Sequence, residues 1–151
     1  MSVSKKGGGS KLSRSEVVTV RFDPRLRFGL ELAARKQRRT VSSFIEWAVD
    51  KALSEITVED KMDNRGPYNI HELLGLTWHV HPADRLVKLG EMFPELLTYD
   101  EECSYKTIVE NRNFFWKESW TGDRVIPDFN KIRENWDALQ NNTWTLPDQE
   151  E

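Results

Sequence analysis

Residues 17–53 read VVTVRFDPRLRFGLELAARKQRRTVSSFIEWAVDKAL, and this stretch decides the fold. At its start, the apolar residues Val18, Val20 and Phe22 alternate with polar residues. A period of two that is rich in β-branched residues is typical of a strand with one apolar and one polar face. The sequence therefore predicts one short strand at the beginning of this segment.

Two helices are predicted after the strand. Asp is a preferred N-cap and Pro is favoured at the first helical position, so Asp23 and Pro24 start a helix that runs to about Gln37. The basic stretch 35–39, with four Lys and Arg residues, places cations at its carboxyl end, where the helix dipole favours them. Thr40 then caps a second helix with its own apolar stripe.

One strand and two helices in about 40 residues cannot close a hydrophobic core. A second copy solves this problem, because two strands can pair antiparallel about a two-fold axis with four helices packed beneath them. We therefore expect an obligate homodimer. Its core is predicted to contain Val18, Val20, Phe22, Leu26, Leu30, Phe44, Ile45, Ala48 and Val49.

The segment resembles the ribbon-helix-helix repressors, the family of the Arc and methionine repressors and of many plasmid copy-control and antitoxin proteins. The resemblance covers 17–53, about a quarter of the chain, and rests on the order of strand, Asp-Pro helix start, basic turn and Thr/Ser-rich second helix start. It implies double-stranded DNA as the partner and a prokaryotic, phage or plasmid origin. The chain departs from the family at the turn, where Arg38 or Arg39 replaces the usual glycine.

In such a dimer the outward strand face would enter the major groove of DNA. We expect Val17, Thr19 and Arg21 to contact bases. Arg21 can pair bidentately with guanine, Thr19 can bond several base edges or touch a thymine methyl, and Val17 can make only an apolar contact. The alternative is an ordinary solvent-facing strand.

The resemblance also implies that the start of the second helix holds a DNA phosphate, although Thr40 would serve equally as a simple cap. A basic arm before the strand would follow the DNA backbone or act only as a solubilising tail. The predicted phosphate contacts are Arg38, Arg39, Thr40, Val41, Ser42 and Ser43, with Lys5, Lys6, Lys11 and Arg14 in the arm.

Charge is distributed unevenly along the chain. Residues 1–53 hold 12 Lys and Arg against 5 Asp and Glu, whereas residues 54–151 hold 10 against 20. The overall charge of −3 therefore hides a basic third and an acidic remainder. This split favours nucleic acid as the partner of the first part and something else for the second.

The predicted fold is mainly α-helical, with a dimeric ribbon-helix-helix domain and a small helical, aromatic-rich domain. Twelve of the 16 aromatic residues lie in the second domain, too many for a disordered tail. The predicted organisation is a disordered basic arm at 1–15, the DNA-binding domain at 16–57, a linker at 58–67, the acidic helical domain at 68–145 and a disordered tail at 146–151.

Local signals predict three helices and a turn in the acidic domain. Pro82 starts a helix to about Leu97, and Thr98 with Glu101 forms a capping box for one that extends through Trp116. A turn follows at 120–123, and Pro127 starts a last helix. Trp116 and Trp136 fall on apolar stripes, and we expect the tryptophans of this domain, those in turns included, to be core rather than a protein-contact surface.

Several function classes lack support in the sequence. The three histidines and the single cysteine, Cys103, have no metal-ligand spacing, and no nucleophile motif or phosphate-binding glycine loop is present. We therefore predict neither an enzyme nor a metal or cofactor site. No apolar run is long enough to span a bilayer and none resembles a secretory signal, so a cytoplasmic location is expected.

The sequence as a whole predicts a sequence-specific, dimeric, repressor-like transcriptional regulator. Its acidic domain would serve oligomerisation on DNA, a protein partner or an effector. One alternative is an antitoxin that uses the same N-terminal dimer for autoregulation. Another is a conjugative or partition accessory protein that coats DNA.

Overall fold

The structure, a computed structural model, describes residues 17–59 and 66–147 and is mainly helical. The predicted arm at 1–15 and the end of the predicted tail, 148–151, lie outside the described residues. The elements in chain order are α1 (Pro24–Lys36), α2 (Val41–Glu55), β1 (Thr57–Val58), β2 (Tyr68–Asn69), α3 (Ile70–Thr77), α4 (Pro82–Met92), a 3₁₀ turn (Pro94–Leu96), α5 (Tyr99–Glu110), α6 (Arg112–Phe115), β3 (Trp116–Glu118), β4 (Val125–Pro127), α7 (Phe129–Glu134) and α8 (Trp136–Gln140).

The chain divides into two compact units between Glu46 and Trp47, within α2. The domain boundary predicted from the sequence lies further along the chain, after residue 57. We refer to the described residues up to Glu46 as the N-terminal unit and to those from Trp47 onward as the C-terminal unit.

The N-terminal unit contains both predicted helix starts. Asp23 caps α1 by accepting hydrogen bonds from the backbone N–H groups of Arg25 and Leu26, at 2.9 and 3.0 Å. The Thr40 hydroxyl accepts from the Ser43 N–H at 3.1 Å at the start of α2. Residues 17–23 form no strand within the single chain. A strand is defined by its ladder, and the ladder partner predicted for this segment is a second copy.

The C-terminal unit has a hydrophobic core of its own. It is built where α4, α5, α7 and α8 pack together, and its largest fully buried side chains are those of Phe93, Phe115, Ile108, Ile132, Leu139 and Val87. Trp116 is buried in this core as predicted, and Trp136 packs against it. The core explains how the aromatic-rich segment folds.

Two predicted helices of this unit are too long. The helix from Pro82 ends at Met92 instead of near Leu97, because Pro94 disfavours helical backbone at the residue before it. A 3₁₀ turn follows. The helix from Thr98 has the predicted capping box but ends at Glu110, so that the next residues form α6 and Trp116 begins a strand.

The last predicted helix is also displaced. Pro127 is the final residue of β4 rather than a helix start, and Asp128 caps the helix instead, through a hydrogen bond from the Asn130 N–H. This helix is interrupted at Asn135, which separates α7 from α8. The predicted turn at 120–123 is present and joins the antiparallel strands β3 and β4, which were not predicted.

The predicted linker at 58–67 is partly structured. Val58 pairs with Tyr68 in the antiparallel β1–β2 ladder, and the Ile70 N–H donates to the Ile56 carbonyl at 3.0 Å. Residues 60–65 lie outside the described part of the chain. The segments on either side of residues 60–65 are therefore paired in a short antiparallel ladder.

Two tryptophans that we expected in the core are exposed. Trp120 is 99% exposed because it lies in the β3–β4 turn, and Trp78 is mostly exposed at the end of α3. Trp144, in contrast, stacks against Phe114 and Phe115 and donates its indole N–H to Asn135 at 3.1 Å. The described helices include none that is long and apolar enough to cross a membrane.

Candidate nucleic-acid interface

The segment before α1 carries the three predicted base-contacting residues, and all of them are exposed. Val17, Thr19 and Arg21 belong to the exposed class, with 94% of Val17 accessible. The residues on the opposite face of the predicted strand, Val18, Val20 and Phe22, are exposed as well, with Val20 at 61%. Within one chain, both predicted strand faces are therefore exposed.

A groove of 570 Å³ in the N-terminal unit brings Arg21 close to the start of α2. Its lining includes Val20, Arg21 and Phe22 from the extended segment, and Val41 from the first turn of α2. One predicted base reader and one predicted phosphate-binding residue thus border the same depression. Leu30 and Ile45, two predicted dimer-core residues, also line this groove.

The basic turn between α1 and α2 has a defined geometry. Arg38 has a φ of 56°, in the left-handed region that favours glycine. The Arg39 N–H donates to the Ala34 carbonyl and the Arg38 N–H donates to the Arg35 carbonyl, both at 3.0 Å. This pair of bonds is the Schellman arrangement, which usually has glycine at the left-handed position. Arg38 therefore occupies the position that glycine usually takes in such a turn.

The start of α2 has the features of an anion site. The first backbone N–H groups of a helix have no partner inside the helix, and the Thr40 hydroxyl satisfies that of Ser43 here. The N–H groups of Val41 and Ser42 remain at the positive end of the helix dipole. Arg38 and Arg39 immediately precede this end and add positive charge. The other predicted phosphate contacts, Lys5, Lys6, Lys11 and Arg14, lie outside the described residues.

The predicted dimer core is poorly covered in the single chain. Only Ala34 is buried in α1, and α2 has no buried residue. Leu26 and Val49 are each more than half exposed. Phe44, Ile45 and Ala48 on α2 and Leu30 on α1 are partly buried.

The C-terminal unit contains a buried ionic cluster that was not predicted from the sequence. Asp84 is 2% exposed, and its Oδ1 accepts from Arg133 Nε at 2.8 Å while its Oδ2 accepts from Arg133 Nη2 at 2.5 Å. His79 Nδ1 lies 3.1 Å from the same Oδ2. Burial works to raise the pKa of Asp84, but the hydrogen bonds and charge of Arg133, together with His79 and His81, outweigh it and hold the pKa below its ordinary value. The cluster joins α4 to α7.

The histidines do not assemble into a metal site in the described part of the chain. His79 contacts Asp84, and His71 Nε2 lies 3.2 Å from Asp50 Oδ1. The residues that the structure describes contain no group of three or more His, Cys, Asp or Glu side chains with metal-binding geometry. His81 caps α4 by accepting from the Ala83 N–H at 3.2 Å.

The chain has no detectable similarity to a known protein family, to a curated protein or to a solved structure.

Proposed function

We propose that the protein is a dimeric, sequence-specific DNA-binding regulator of the ribbon-helix-helix type, with residues 17–23 forming the ribbon. The observation that carries this proposal is the exposure of the apolar residues in and beside this segment. Val18, Val20 and Leu26 are each more than half exposed, and among residues 17–59 and 66–147 no strand pairs with residues 17–23. Apolar surface of this extent favours a partner, and a second copy is the simplest partner.

Positive charge beside the segment supports DNA as the ligand of such a dimer. Arg21 would lie on the outward face of the ribbon and read bases in the major groove. The start of α2, with Thr40 as its cap and the turn residues before it, would hold a phosphate and fix the register of the ribbon on the duplex. Two copies of each group would follow from the two-fold symmetry.

The packed core of the C-terminal unit favours a regulator over an antitoxin. Antitoxin tails usually become ordered only on binding their toxin, whereas α4, α5, α7 and α8 enclose a core without a partner. An accessory protein that coats DNA is the other alternative. Footprinting at increasing protein concentration separates the two. A coating protein protects a longer and longer stretch of DNA, whereas a regulator protects a stretch of fixed length.

A pair of lysine substitutions tests the dimer. Val20→Lys places a charge in the proposed core, whereas Val17→Lys places the same charge on the outward face. Both residues are more than half exposed in the single chain, so a monomer would tolerate both substitutions equally. We expect sedimentation to give a dimer for the wild type and for Val17→Lys and a monomer for Val20→Lys. A monomeric wild type would refute the proposal.

DNA recognition is tested by selecting bound sequences from a random duplex pool and titrating the selected site. Arg21→Ala should weaken specific binding about tenfold or more and leave binding to unrelated DNA nearly unchanged. Arg25→Ala removes the same charge from α1 and serves as the matched control, with no change in base preference expected. If the pool yields no preferred sequence, or Arg21→Ala retains the full preference, the base-reading role is wrong.

A further inference from the structure

An open groove of 610 Å³ lies in the C-terminal unit, lined by parts of α3, α4, α5 and α8. Leu73 and Leu86 in its lining are buried, but Leu74 and Leu96 are each 39% exposed and Trp78 is 61% exposed. The volume is within the range of about 300–1,000 Å³ that is usual for binding sites. Exposed apolar side chains gathered in one concave surface indicate a binding surface rather than incomplete core packing.

The lining has the spacing of two helix faces. From α3 it takes residues 70, 73, 74 and 77, and from α4 it takes residues 82, 85, 86 and 89. Both sets repeat every three or four residues, so each helix presents a ridge of roughly two turns to the groove. A third helix packs naturally between two such ridges, because the side chains of one helix fit the spaces between those of another.

Charged residues border this apolar surface. Asp100, in the first turn of α5, and Arg85, on α4, both line the groove, and neither forms an ion pair within the described ranges 17–59 and 66–147. The Arg85 guanidinium lies 4.7 Å from the centre of the Trp78 ring and is therefore already engaged by an aromatic face. Glu101 also lines the groove, so two neighbouring carboxylates of the first turn of α5 lie at this end.

We propose that this groove binds an amphipathic, basic α-helix of another protein. The apolar face of that helix, with side chains at positions i, i+3 or i+4, and i+7, fills the groove. A lysine or arginine at the edge of the same face pairs with Asp100. Glu101 is less accessible to the partner because its carboxylate already accepts hydrogen bonds from the Thr98 N–H and hydroxyl.

The test uses the full-length chain and a fluorescein-labelled synthetic Leu/Lys helix of about 18 residues, long enough to be helical once bound. A second peptide has the same leucines and glutamate in place of every lysine. We expect the Leu/Lys peptide to bind in an anisotropy titration without DNA. Leu74→Ala should weaken it about tenfold, whereas Leu76→Ala, a substitution of an exposed α3 residue outside the groove, should have little effect.

Charge reversal tests the acidic end of the groove. Asp100→Lys should weaken the Leu/Lys peptide and strengthen the Leu/Glu peptide. Asp137→Lys reverses an exposed carboxylate on α8 outside the groove and should change neither. Binding that is absent, or that is the same for the groove variants and their controls, overturns the proposal.

Sedimentation of the same variants identifies a different occupant. If Leu74→Ala lowers the oligomeric mass of the protein and leaves peptide binding unchanged, the groove takes a second copy, and the proposal is likewise wrong. The measurement contains no DNA, so its failure leaves the proposed DNA-binding function standing.

Discussion

Gly90 provides a direct test of the packing between α4 and α5. It is buried, and a Cβ atom added there would lie 2.6 Å from Cε2 and 2.7 Å from Cδ2 and Cζ of Tyr105, against 3.4–4 Å for an ordinary contact. Relieving an overlap of this size requires the Tyr105 ring to move and costs about 1–3 kcal/mol. Alanine gains about 1 kcal/mol of helix propensity over glycine. The net effect of Gly90→Ala should be a loss of up to about 2 kcal/mol in the free energy of unfolding.

Whether Gly90→Ala raises or lowers the free energy of unfolding should depend on the Tyr105 ring. In a Tyr105→Ala background the overlap is gone, and Gly90→Ala should then stabilise the protein by about 0.5–1 kcal/mol. Gly75, in α3, has no atom within 4 Å of an added Cβ, so Gly75→Ala should stabilise the wild type by a similar amount and serves as the control. Urea denaturation followed by tryptophan fluorescence measures all of these changes. If Gly90→Ala has the same effect with and without the Tyr105 ring, the close packing is not the cause.

Two other substitutions test the turn and the ionic cluster. Arg38→Gly should stabilise the protein by roughly 1 kcal/mol in thermal or urea unfolding, because Arg38 holds a φ of 56° that costs glycine nothing, and a destabilised variant would show that the Arg38 side chain matters more than its backbone. Arg133→Met should lower the melting temperature at neutral pH by leaving the Asp84 carboxylate buried without its strongest partner. In the wild type the pKa of Asp84 in the folded protein is lowered from the ordinary value of 3.8. The ionised carboxylate therefore contributes fully to the free energy of unfolding above pH 3.8, and this contribution is lost as the pH falls through the lower pKa of the folded state. In Arg133→Met, burial would dominate and raise that pKa, so the stability deficit should narrow as the pH falls below neutrality; a deficit independent of pH would contradict this assignment.

Helix starts were predictable because their signals are local. Asp23, Thr40 and Thr98 each accept a hydrogen bond from a backbone N–H two or three residues further on, so the cap and its partner lie in the same short stretch of sequence. The proline that ends α4 is also a local signal, although the helix was predicted to continue past it. Proline at position 94 should have ended the predicted helix before Leu97.

The missed features depend on residues that are far apart in the sequence. Asp84 and Arg133 are separated by 49 positions, and neither position has a pattern that specifies the other. The β3–β4 ladder pairs Trp116 with Pro127, and proline in such a position also reads as a helix start when only its neighbours are considered. Tertiary contacts decided between these two interpretations.

The two units differ in how much apolar surface each buries by itself, and this difference supports a separate role for each unit. The C-terminal unit encloses buried aromatic and aliphatic side chains of its own, such as Phe115 and Ile132. The described part of the N-terminal unit buries little more than Ala34 and leaves its valines accessible. In the proposed function, a second copy would complete the N-terminal unit and couple dimerisation to DNA binding, whereas the C-terminal unit has a core of its own. The C-terminal unit, whose sequence carries the excess of acidic residues, would be repelled by the same DNA and remain free for a different partner.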